Sequence, residues 1–196
     1  MKTATMITTT ILFGISAQAE KPGEKPDMMI CARWSSDPNT YKARRMAAEM
    51  FDGIGVTVQF LLNPRTCPAE ATQITLSEDT PKDLLPGALA YARPYEGVHI
   101  QIFYDRVCNA VRPRAVPYLL AHVLVHEITH ILQGSSRHSA TGIMKAQWDA
   151  ADYSQMEQMP LRFASEDIRL IRQALSSRVA HPIAPRNAEV AKITAQ

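Results

Sequence analysis

Val56, Val58, Phe60 and Leu62 alternate with Thr57 and Gln59 and stop at Asn63-Pro64. That is the period-two pattern of a strand with one face against a core. Residues 98–104 (VHIQIFY) repeat the alternation and give the clearest strand signal in the chain. Residues 28–34 (MMICARW) read as a shorter strand, and residues 73–76 as another inside a stretch otherwise made of turns, 63–97. Helical signals lie between and after these. Asp37-Pro38 sets a capping carboxylate before a proline at the first helical position, TYKARRMAAEMF follows, and Gly53 supplies a stop. Pro117 opens a second helix and Gly134 closes it. The intervening YLLAHVLVHEITHILQ is apolar on most faces, which predicts a central, buried helix. A third helix begins near Ser165, which can cap it. Glu166 and Asp167 are well placed against its dipole, and Ile168, Ile171 and Leu175 form its apolar stripe.

Strand, helix, strands, buried helix, loop, helix is the order of an α+β domain, expected over residues 28–178. Residues 1–19 (MKTATMITTTILFGISAQA) carry an early lysine, an apolar run too short to span a bilayer, and Ala17-Gln18-Ala19 as a cleavage signal. They read as a signal peptide, with 20–27 as a flexible mature N-terminus and 179–196 as a loose tail. The expected location is therefore periplasmic or extracellular, with no stable membrane insertion after cleavage.

The 196 residues are 46% hydrophobic and 20% charged with net charge +2, which excludes a disordered or multi-span chain. The basic residues are scattered, so no nucleic-acid partner is expected. Cys31, Cys67 and Cys108 all survive cleavage, contain no CxxC, and allow one disulfide whose partners the sequence leaves open.

A buried helix needs a reason to carry ionisable residues, and here it holds His126-Glu127-Ile128-Thr129-His130. In this HExxH motif the i, i+4 spacing brings two imidazoles to one face, where both can bind one ion, while Glu127 is free to address a water. Gly134 permits the reversal that ends the helix. His138 follows on the returning loop as a third ligand, and Ser139-Ala140-Thr141-Gly142-Ile143-Met144 forms a tight segment ending in methionine. Three imidazoles leave one tetrahedral position open, as a single catalytic Zn2+ requires.

These residues resemble the zincin metallopeptidases and, within them, the metzincins, whose HExxHxxGxxH motif is followed by a Met-containing turn. The chain departs from that spacing by two residues: Gln133 and Ser136 stand where the family has its glycine and third histidine, giving HExxHxxxGxxxH. The resemblance implies a metzincin-like catalytic domain with a small mixed, twisted sheet, a backing helix, a buried active-site helix and a C-terminal helix. It implies a secreted zinc metallopeptidase of peptides or proteins, an endopeptidase rather than an exopeptidase. His126, His130 and His138 would bind zinc, Glu127 would be the general base, and Met144 the supporting Met-turn. It also implies that residues 98–104 form the edge strand above the cleft, free to pair with an extended substrate.

Other residues compete for these roles. His122 lies one turn before His126 and is expected to support the site rather than bind metal. Asp149, Glu157 and Glu166 are acidic rivals for third ligand, ranked below His138, and His99 reads as a solvent-facing strand residue. An exported zinc-binding domain that acts through protein contacts, without catalysis, is the alternative function.

Overall fold

Asp37 Oδ1 accepts the amides of Asn39 at 2.8 Å and Thr40 at 3.2 Å, and Pro38 follows as the first helical residue. This cap starts α1 (Pro38–Asp52), as the sequence predicts. Gly53 ends it in a right-handed conformation (φ −58°), and the left-handed reversal falls two residues later at Gly55 (φ 76°). A computed structural model describes residues 26–34, 37–93 and 99–180. The expected signal peptide, the tail from residue 181 and most of the mature N-terminus lie outside them.

Four strands are parallel: β1 (Met28–Arg33), β2 (Val58–Leu61), β3 (Thr72–Ser77) and β5 (His99–Phe103). The fifth, β4 (Ala90–Ala92), runs antiparallel to β5, and the sheet order is β2-β1-β3-β5-β4. Here the structure corrects one expectation. The strand at 98–104 is not an edge, because β3 pairs with one side of β5 and β4 with the other. The edge on that side is β4, three residues with no alternating apolar pattern to announce it.

After α2 (Tyr104–Ala110), helix α3 (Val116–Gln133) crosses the domain, packing against α1, β4 and β5. Residues 113–133 are long and apolar enough to cross a membrane, but 94% of that window is buried inside the domain, which makes this a core helix. Ile30, Ile74, Ile100 and Ile102 meet Leu120, Leu124 and Ile128 in one apolar cluster. The helices α4 (Ala150–Gln158) and α5 (Ser165–Ala180) pack on α3 from the C-terminal side. Cys31 and Cys67 form a disulfide, tying β1 to the 3-10 turn Pro64–Thr66, and Cys108 is free.

Candidate metal centre

Gly134 adopts the left-handed conformation (φ 60°) that closes α3, and the Ser135 amide donates to the His130 carbonyl at 3.2 Å. The same turn aims the Ser135 carbonyl back at His130, whose Nδ1 lies 2.8 Å from it. His126 is fixed in a matching way from the other side, with Nδ1 2.9 Å from the Ile143 carbonyl. A carbonyl only accepts, so both Nδ1 atoms carry the proton and both Nε2 atoms carry lone pairs.

Those Nε2 atoms face each other at 3.0 Å. Two lone pairs at that distance repel, and no proton lies between them to share. Burial also opposes charging: it pulls His126 down to about 4 and lowers His130. A cation is the partner that resolves the pair. His138 completes the donor set, its ring centroid 5.2 Å from His126 and 5.0 Å from His130. One ligand nitrogen from each of the three lies within 4.8 Å of the others. Three neutral imidazoles, two with second-nitrogen acceptors in place, fit a zinc ion with one position open.

The two extra loop residues do not carry His138 away, and the reason is Asp167. Its carboxylate is fully buried, pairs with Arg137 and accepts the Ser139 hydroxyl at 2.8 and 2.9 Å. Both residues flanking His138 are thus held from α5. The sequence reading gave Asp167 only a dipole role; the polar pair around His138 was the available signal for more. Gly142 (φ 75°) closes the following turn, where a Cβ would come 2.1 Å from the Arg162 carbonyl oxygen. Only glycine fits there. Met144 is wholly buried, and its carbonyl accepts the Ser139 amide at 2.7 Å.

Glu127 is buried between α3 and β4. Burial raises its carboxyl to about 8, opposed by a hydrogen bond from the Ala92 amide. It lines a cleft of about 510 Å³ together with the three histidines, bounded by β4 on one side and by Lys145, Trp148 and Tyr153 on the other. Trp148 stands edge-on to His126, with centroids 5.4 Å apart at 82°, and was not singled out from the sequence.

The remaining candidates lie elsewhere. His122 has both nitrogens occupied, Nδ1 by the Tyr118 carbonyl at 2.7 Å and Nε2 by the Leu161 amide at 3.0 Å. It meets the site only through Trp148, 6.3 Å away ring to ring. Asp149 caps α4, Glu157 pairs with Arg112 at 2.8 Å, and Glu166 with Arg169 at 2.6 Å. His99 is exposed on β5.

A mixed sheet with one antiparallel edge, a buried helix carrying two histidines and a third on the returning loop define a metzincin-like fold. Among solved structures, the chain matches archaemetzincin from Methanopyrus kandleri with a TM-score of 0.52. The match covers 76% of this chain and 96% of that one at 15% sequence identity. No family model and no curated protein matches the sequence.

Proposed function

We propose that the protein is an exported zinc metallopeptidase. The observation that carries this reading is the convergence of the His126 and His130 lone pairs, with His138 beside them, in the same cleft as Glu127. The metzincin-like fold and the archaemetzincin neighbour support it. Zinc held by the three histidines would supply a Lewis acid and a water of lowered pKa.

The protein's own groups do the rest. His126 and His130 keep neutral Nε2 donors because the Ile143 and Ser135 carbonyls hold their other protons. Glu127 takes the proton of the attacking water and delivers it to the leaving amine. Burial alone raises this carboxyl, and a zinc ion bound beside it would oppose that shift and favour the carboxylate that accepts a proton. Among the described residues no further strand pairs with the outer edge of β4, which gives an extended peptide a strand to pair with and favours internal cleavage. Export agrees with the Cys31–Cys67 disulfide, since such bonds persist in oxidising compartments. A purely structural zinc domain has no use for a buried Glu127 in the cleft.

The deciding experiment compares wild type with Glu127→Gln on a denatured-protein substrate. Retained zinc with hydrolysis reduced by roughly 10²-fold or more is expected. Unchanged turnover would remove Glu127 from the role.

A further inference from the structure

The connection from β3 to β4, residues 78–89, carries no strand of its own, so its backbone must find partners elsewhere. Two turns of its own supply some, Leu84 donating to the Pro81 carbonyl and Ala88 to the Leu85 carbonyl, both at 3.1 Å, and one side chain supplies more. Arg106, on α2, donates Nη1 to the carbonyls of Leu85 at 2.7 Å and Ala88 at 3.0 Å, and Nη2 to those of Pro81 at 2.9 Å and Leu84 at 2.6 Å. Its guanidinium also lies over the Phe103 ring, 4.6 Å from the centroid. The neighbouring Asp105 anchors the start of the same segment, accepting the Thr80 hydroxyl at 2.6 Å and the Thr80 amide at 3.2 Å.

This clamped loop is a wall of the cleft. Gly87, Ala88 and Leu89 line it and lead directly into β4, which faces Glu127. Leu85 is held at φ 43°, a conformation that costs a leucine energy and needs surrounding bonds to persist. Four carbonyls converging on one planar fork supply them, which an ammonium could not do in the same geometry. Small residues (Gly87, Ala88, Ala90, Ala92) alternate there with Leu89 and Tyr91, which lets a bound chain lie close against the wall.

We infer that Arg106 is a positioning residue for substrate: it holds the 81–88 loop, and so the cleft wall along which a bound peptide lies. Arg106 touches neither the metal centre nor the reacting atoms. The inference rests on the peptidase reading.

The test uses two zinc-binding probes on the zinc-loaded protein. Acetohydroxamate reports the metal alone; a leucine-containing peptide hydroxamate also reaches along the wall. In Arg106→Ala, zinc content and acetohydroxamate affinity are expected to stay as in wild type, while peptide hydroxamate binds about ten-fold more weakly. Dilute guanidinium chloride should restore part of the loss, with sodium chloride at equal ionic strength restoring none. Arg106→Lys should behave as the alanine variant does, and decides the matter alone where alanine does not fold. Equal peptide-hydroxamate binding in variant and wild type overturns the inference. So does a parallel loss of both probes, which marks a general structural role. A wild-type protein that holds zinc yet binds the two probes alike overturns it while leaving the metal site standing. One that holds no zinc removes the peptidase reading and this inference with it.

Discussion

The Nε2 atoms of His126 and His130 lie 3.0 Å apart with no proton to share. Each ring is turned by a backbone carbonyl, from Ile143 in one case and Ser135 in the other. Those carbonyls belong to the two turns that interrupt the chain after α3. The turns therefore set the tautomers, and the tautomers make the metal site.

Gly142→Ala should damage the site from a distance. The added Cβ meets the Arg162 carbonyl at 2.1 Å in a left-handed conformation, so the turn has to move. Its neighbour Ile143 then no longer holds His126. A loss of stability above about 1 kcal/mol is expected together with weaker zinc binding. Denaturant unfolding and a competitive zinc titration read the two effects.

Asp167→Asn should weaken zinc without unfolding the domain. Losing the carboxylate frees Arg137 and loosens Ser139, so His138 is no longer held from both sides. Supporting residues of this kind are worth roughly 10–100-fold in metal affinity. Glu166→Gln, one residue away, breaks a surface pair with Arg169 and leaves the Asp167 bonds to Arg137 and Ser139 in place, so zinc binding should change little. Equal affinities in the two variants would contradict the account of the loop.

His122 makes the fold sensitive to acid. Burial lowers it from 6.5 to about 4 in the folded protein. Between those values the unfolded chain binds the extra proton, so this contribution is full above pH 6.5 and is lost as pH falls toward 4. The loss amounts to about 3 kcal/mol over that window. His122→Gln should flatten that part of the stability–pH curve. It should also cost about 1 kcal/mol at pH 7, because a glutamine whose Oε1 accepts the Leu161 amide in place of Nε2 no longer donates to the Tyr118 carbonyl. Unfolding curves between pH 4 and 8 test both.

The disulfide closes a separation of 36 residues between Cys31 and Cys67. Replacing both cysteines with serine should lower stability by roughly 3 kcal/mol while leaving zinc content intact, since neither residue approaches the cleft. Thermal unfolding and elemental analysis distinguish this from damage at the site.

Where periodicity and caps were strong, the sequence was readable. Asp37-Pro38, the alternation around Phe60 and the apolar length of 116–133 each describe a local decision, and each element formed where expected. The His126, Glu127, His130 grouping was legible because charge on a buried helix has few explanations. What sequence could not show was assembled by tertiary contact. β4 is three residues held by pairing with β5, and its edge position follows from strand order alone. Asp167 serves a loop 28 residues away in the chain, and Arg106 serves one about as distant. The disulfide partners were likewise fixed by the parallel pairing of β1 with β2, which brings Cys67 beside Cys31.

Zinc content per chain tests the central claim most directly. Folded wild-type protein purified without chelator is measured by elemental analysis beside His130→Ala. Close to one zinc in wild type and a sharp loss in the variant is the result expected of two converging lone pairs and a third imidazole. Folded wild type with no zinc, and none taken up when zinc is supplied, would contradict it.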